Sequence, residues 1–158
     1  MAAINIPGVG EKLGVEYTRV VTFGGSSNAD VHLSSTILST VGGAVALINI
    51  NEPNVFVKNM QLQVAAKLTT STGTFTIGDS DDADGYFTDT AIVGTSTAAN
   101  FNDMSTAGGY GMGKRYTLSH VINVTKAGAA ASVISANSVA KVRVTYVRGV
   151  ADSLNANT

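Results

Sequence analysis

From Met60 to Leu68 every second residue is apolar: Met60, Leu62, Val64, Ala66 and Leu68 alternate with positions that include Gln61, Gln63 and Lys67. A period of two turns one side of an extended chain toward a core and the other toward water, the pattern of an antiparallel sheet with one wet face. It runs through residues 55–70, the longest strand signal in the chain. The same alternation recurs at residues 139–147, where Val142, Val144 and Tyr146 face inward and Lys141, Arg143 and Thr145 face outward. Residues 115–125 put Tyr116, Leu118, His120, Ile122 and Val124 on one side. Residues 15–23 do so with Val15, Tyr17, Val21 and Phe23, and Arg19 interrupts that face as it would in a strand near a sheet edge.

Residues 44–50 are apolar on both faces and read as a buried strand, while 91–93 and 131–136 are weaker strands. Residues 29–41 read as a short helix or an irregular connection, although Val31, Leu33 and Ile37 fit a strand nearly as well. Turn residues separate these runs at 24–28, 51–54 and 126–130. Ser71, Thr72 and Gly73 predict a hairpin between residues 55–70 and a strand at 74–77. About eight strand-like segments without a long helical period predict an all-β fold, an antiparallel β-sandwich of jelly-roll or Greek-key type. An extended N-terminal arm over residues 1–14 and a polar tail over 149–158 flank it. The 158 residues fit one domain spanning 1–158, long enough to bury a core without staples.

Composition removes several functions. There is no cysteine, so disulfides and thiolate metal sites are excluded. Ten Lys or Arg stand against eleven Asp or Glu with no basic run, which argues against nucleic acid as a partner. Only 13% of the residues are charged, so copies repel one another little and surfaces meet at a low desolvation cost. That usage suits a member of an assembly. The most apolar stretch, residues 43–50, is far short of the ~20 residues that span a bilayer, and residues 1–14 lack a secretory pattern. A protein made and kept soluble in the cytoplasm, with no membrane partner, is the expectation.

The densest cluster of chemistry lies in residues 73–88, GTFTIGDSDDADGYFT. Phe75 and Ile77 belong to a strand face, and the chain then breaks into a loop with Asp79, Asp81, Asp82 and Asp84 before Tyr86 and Phe87. Calcium takes oxygen ligands at such loops, but the fifth position counted from Asp79 is Ala83, and no glutamate stands at the twelfth. Asp and Gly also favour ordinary turns. The expected reading is a polar corner between sheets, with its carboxylates pointing outward, ahead of a metal site.

Residues 108–115, GGYGMGKR, place Gly108, Gly113 and Lys114 at phosphate-loop spacing, yet Arg115 stands where a Ser or Thr should bind magnesium. The stretch opens a strand rather than a helix, so no nucleotide cofactor is expected. His32 and His120 make no catalytic constellation, and no enzymatic activity is expected. A glycan site would want exposed aromatic platforms; there is no tryptophan, and only Tyr86 and Tyr110 fall in loops. Asn123, Val124 and Thr125 spell a glycosylation acceptor without a secretory signal to give it consequence. Residues 94–113 form a long loop of the kind that serves binding.

The strands NVFVKNMQLQVAAKL and AKVRVTYVRG, with the GTFTIGDSDDADGYF corner between them, resemble the structural proteins of tailed-bacteriophage virions. Small β-sandwich or jelly-roll head proteins, among them decoration or cement proteins, have this character. The resemblance covers most of residues 55–149 and implies a non-enzymatic protein on the capsid surface of a virion, bound to the major capsid protein and to itself as a homodimer or homotrimer. The alternative is a tail-fibre or adhesin-type binding module for glycan or calcium.

Overall fold

The strict alternation around Met60 becomes the central strand of one sheet. In a computed structural model, which describes residues 3–33, 40–68, 73–93, 100–103, 109–128 and 134–149, strand β5 (Val55–Ala66) lies antiparallel to β11 (Val139–Arg148) along almost its whole length. Met60, Leu62 and Val64 of β5 and Val142, Val144 and Tyr146 of β11 are buried, as their period requires. On the far side of β11 runs β2 (Glu16–Gly24), and the two-residue β3 (Val31–His32) pairs with the end of β2 in parallel. The other edge of β5 carries β8 (Asn102–Asp103) and β9 (Lys114–Tyr116).

The second sheet has the order β1-β4-β10-β6-β7. Its strands are β1 (Ile4–Ile6), β4 (Ala44–Ile50), β6 (Thr74–Gly78), β7 (Phe87–Val93) and β10 (His120–Lys126). Ile6, Ile48, Ile50, Phe75, Ile77, Ile122 and Val124 from this sheet meet the inward side chains of the first in one core. The protein is an all-β sandwich of two sheets, and no helix occurs among the described residues. Pairing is antiparallel except at β1 with β4 and β2 with β3.

Several expectations change. Residues 55–70 and 74–77 do not form a hairpin: β5 and β6 belong to opposite sheets, because β11, β8 and β9 occupy both edges of β5. The hairpin is instead β6 with β7, so the Asp loop is a turn within one sheet and not a corner between sheets. Residues 115–125 are not one strand. Tyr116 closes β9 in the first sheet and His120 opens β10 in the second, and the crossing leaves Leu118 67% exposed. Residues that point into a sandwich from its two sheets share the same alternation, so the period alone hides the crossing.

The segment read as an arm lies against its own body. Ile6 of β1 is fully buried beside β4, and the amide of Asn51 donates to the Ile6 carbonyl at 3.0 Å. Further along, the Glu11 carboxylate accepts from the Tyr146 hydroxyl at 2.6 Å, and the Glu11 carbonyl accepts from Arg148. Val15, read as inward, is exposed and precedes β2. In residues 29–41 the described part is extended at β3, and 34–39 lie outside the described residues, as do 94–99 and 104–108 of the long loop, 131–133, and 150–158 of the tail.

Candidate functional site

Gly78 ends β6 where a side chain has no room, because a Cβ there would overlap the backbone of Asp82 and Ala83. The loop therefore curls back over the end of its own strand. The amide of Asp79 donates to the Asp82 carbonyl at 2.9 Å. In return, Asp79 Oδ1 accepts the amides of Asp81 at 2.9 Å and Asp82 at 3.2 Å. This is an Asx-type turn, the use of aspartate expected for a tight polar loop. The amide of Tyr86 closes it by donating to the Ile77 carbonyl at 3.0 Å.

The Asp79 side chain itself points inward and is fully buried, which corrects the outward reading of the cluster. Its Oδ2 accepts the Lys114 ammonium at 2.8 Å and the Tyr116 hydroxyl at 2.7 Å, while Oδ1 also accepts the Tyr110 hydroxyl at 2.9 Å. Since Tyr116 donates to Asp79, its oxygen is left to accept from the Tyr86 hydroxyl, 2.9 Å away. Burial pushes the Asp79 carboxyl up, but Lys114, Tyr116, Tyr110 and the Asp81 amide outweigh it and hold the group below the ordinary carboxylate range. Burial alone would lower Lys114; its hydrogen bonds to Asp79, Asp81 and Tyr110 raise it instead. Tyr86 and Tyr116 are both pushed well above the ordinary phenol range, mainly by burial.

Only Asp79 of the four acidic residues is drawn in. Asp81 stays 59% exposed and shares the Lys114 ammonium at 2.8 Å, with His120 Nε2 at 3.5 Å from the same oxygen. Asp84 is exposed at the loop tip and Asp82 half-buried. The Lys114 ammonium stands between Asp79 and Asp81 where a bound cation would have to sit. Among the described residues no three His, Cys, Asp or Glu converge to hold a metal.

The remaining candidates resolve in the same region or away from it. Lys114, read as part of a phosphate-loop mimic, is the cation of this network; it opens β9 behind Gly113, which has a φ of 87°. Gly108 lies outside the described residues. Tyr86 is fully buried and Tyr110 packs edge-on against it at 5.0 Å, so neither offers a flat exposed platform. A Cβ on Gly85 would overlap the Tyr110 ring, which explains a glycine there. His120 is not a core residue but half-buried at the end of β10, with Nδ1 3.3 Å from the Leu118 carbonyl oxygen. His32 is exposed, across the molecule on β3.

Beside the network a cleft of about 460 Å³ opens, lined by Asn49, Asn51, Ser80, His120, Val121 and Asn123, among others. Sequence reading missed it, because its walls come from the acidic loop, the end of β4 and the start of β10, which are far apart in the chain. It also missed the pairing of Asp79 with Lys114. The one local signal was a lone lysine entering a strand directly behind a glycine turn.

No protein-family model matches the chain, and neither does any curated protein sequence. Two solved structures have a similar fold. One is the cyanophage Pam1 capsid asymmetric unit, 21% identical, with 85% of this chain and 85% of that one covered and a TM-score of 0.57. The other is the acidic stable capsid structure of Helicobacter pylori bacteriophage KHP30, 13% identical, with 86% and 90% covered and a TM-score of 0.51. At these identities the likeness is one of fold.

Proposed function

We propose that this protein is a non-enzymatic structural component of a bacteriophage virion, a decoration or cement protein that binds the major capsid protein lattice from outside. The observation that carries the reading is the fold: both similar structures come from phage capsids, and each likeness spans at least 85% of this chain. The strand order supports a jelly-roll assignment within the sandwich. The series β2-β11-β5-β9 faces β4-β10-β6-β7, and successive strands from β4 onward change sheet at every step except β6 to β7 and β8 to β9. Such winding is what a jelly roll of two Greek keys would have, and it supports that reading.

The chemistry of the described residues fits such a role. The buried Asp79 carboxylate is saturated internally by Lys114, Tyr110 and Tyr116, with Tyr86 behind Tyr116, which makes a rigid end. Low overall charge suits contact with a shell, and repeated copies on a lattice let modest contacts suffice through raised effective concentration. The described part of residues 1–14 is bound to its own sheets, so bridging to neighbours falls to other elements, residues 94–113 among them. Synthesis would be in the host cytoplasm and the final location the capsid surface, with the protein bound as a homodimer or homotrimer.

The test is gradient sedimentation of purified phage particles followed by immunodetection of this chain. It should travel with full heads and with DNA-free heads alike. Recovery only at the top of the gradient, or only with separated tails, would overturn the reading.

A further inference from the structure

In the cleft beside the acidic loop, polar side chains from three parts of the chain meet without bonding to one another. Asn49 and Asn51 come from the end of β4, Ser80 from the loop, and Ser119 and Asn123 from β10 and the residue before it. Asn49 Nδ2 donates to Asn5 Oδ1 at 3.1 Å, which leaves its own carbonyl oxygen to accept. The side chains of Asn51, Ser80, Ser119 and Asn123 hydrogen-bond to no described residue. The contrast is with Asp79 close by, whose oxygens are all engaged.

The backbone holds these groups in place. Asn49 and Val121 are in register across β4 and β10, and Asn123 follows Val121 by two residues along the same strand. The amide of Asn51 is fixed to the Ile6 carbonyl at 3.0 Å. Ser80 sits inside the turn that Asp79 closes by accepting the amides of Asp81 and Asp82. The His120 ring is positioned between the Leu118 carbonyl oxygen, 3.3 Å from Nδ1, and Asp81 Oδ2, 3.5 Å from Nε2. Groups held in position before a ligand arrives lose less freedom when it binds.

We infer that this cleft is a binding site for a neutral saccharide. Each Asn and Ser side chain in it both donates and accepts, which is what a sugar hydroxyl also does. No Lys or Arg lines it among the described residues, and Asp81 stands beside it, so phosphate and other anions find no counter-charge there. Val121, 41% exposed among the polar groups, gives the C–H face of a sugar ring an apolar contact. An extended peptide is disfavoured, because strand addition needs a free edge. At the cleft β4 lies between β1 and β10, β6 covers β10 from Asn123 onward, and the Asp81–His120 contact stands across the start of β10. The volume of about 460 Å³ lies in the ~300–1,000 Å³ range of small-ligand sites. No Tyr, Phe or Trp among the described residues lines the cleft, so a single sugar should bind weakly, with a Kd of ~1–10 mM. Many copies on one particle would let such weak sites act together. That use rests on the virion reading; binding by the purified chain does not.

The experiment is amide correlation NMR on the isotope-labelled full chain, titrated separately with glucose, galactose, mannose, rhamnose and N-acetylglucosamine. At least one of these sugars should move the amides of Asn51, Ser80, His120, Val121 and Asn123 along saturating curves. Asn51→Ala and Asn123→Ala should each raise the Kd about 5-fold, the loss of one hydrogen bond. Thr18→Ala, on exposed β2 of the other sheet, should leave it unchanged. The spectra show directly whether a variant is folded, and if one is not, the other decides. Inorganic phosphate and a tetraglycine peptide should leave the cleft amides in place. The inference is overturned if no sugar in the panel moves those amides, if the shifts map elsewhere, or if the cleft variants bind as wild type does. Binding of phosphate or of the peptide at the cleft in place of the sugars overturns it too. Sugar binding by a chain that never travels with phage particles sustains this inference and counts against the virion reading alone.

Discussion

Replacing Asp79 with alanine should be the most damaging single change to the acidic loop, although the sequence offers four aspartates that look alike. Asp79 is fully buried and accepts five hydrogen bonds: from Lys114, Tyr110, Tyr116 and the amides of Asp81 and Asp82. Removing one member of a buried ion pair costs ~3–5 kcal/mol, because the remaining charge is stranded. Lys114 keeps Asp81 at 2.8 Å and is 15% exposed, which moderates its share. The buried Tyr116 hydroxyl loses its acceptor, a further ~1–3 kcal/mol if nothing replaces it. Together these overlapping losses place Asp79→Ala at ~4 kcal/mol, a large part of the ~5–15 kcal/mol that holds a domain together. With an m-value near ~2 kcal/mol/M the urea midpoint should fall by about 2 M. Ser80→Ala, an exposed neighbour, should stay within ~0.5 kcal/mol of wild type. Coupling between Asp79→Asn and Tyr116→Phe in a double-mutant cycle should reach ~1 kcal/mol. If Asp79→Ala costs less than ~1 kcal/mol, or no more than Asp82→Ala, the inward network does not hold the loop and the outward reading returns.

Two further outcomes follow from the same charges. Asp79 titrates below its unfolded value, so its contribution is complete above about pH 4 and is lost as pH falls through the folded value; Lys114, Tyr86 and Tyr116 are raised, so theirs is complete below about pH 10 and is lost above it. Melting temperature against pH should show a plateau between those limits, and Asp79→Asn should flatten its acid side; an unchanged acid limb would contradict the assignment. Lys126 is buried, its ammonium meets the Gly128 carbonyl at 2.8 Å and no carboxylate among the described residues, and burial lowers its pKa. Lys126→Met should therefore be neutral or stabilising by up to ~2 kcal/mol in urea unfolding, and a loss above ~1 kcal/mol would show that the charge is better satisfied than this.

Much of the sandwich was legible because burial imposes period two. Met60, Leu62 and Val64 of β5, and Val142, Val144 and Tyr146 of β11, are inward as their spacing requires. Pairing partners were not legible, because alternation states which way a side chain points and not which sheet receives it. The hairpin expected between residues 55–70 and 74–77, and the single strand expected over 115–125, failed for that reason. Leu118 shows the same limit from the other side: it continues the apolar series, yet it sits where the chain crosses between sheets and is exposed. Within the acidic loop the turn chemistry was readable from Asp and Gly alone. The inward turn of Asp79 was not, since its cation and two of its hydroxyls arrive from Tyr110–Tyr116, more than thirty residues away.

Membership of the capsid shell would fix the copy number of this chain on each particle. Quantitative mass spectrometry of gradient-purified particles, calibrated with labelled peptides from this chain and from the major capsid protein, gives their molar ratio. A protein of the capsid shell gives a ratio near one, or a simple fraction of one set by lattice symmetry. A ratio of a few copies per particle, as at a tail or a single vertex, or none at all, would contradict it.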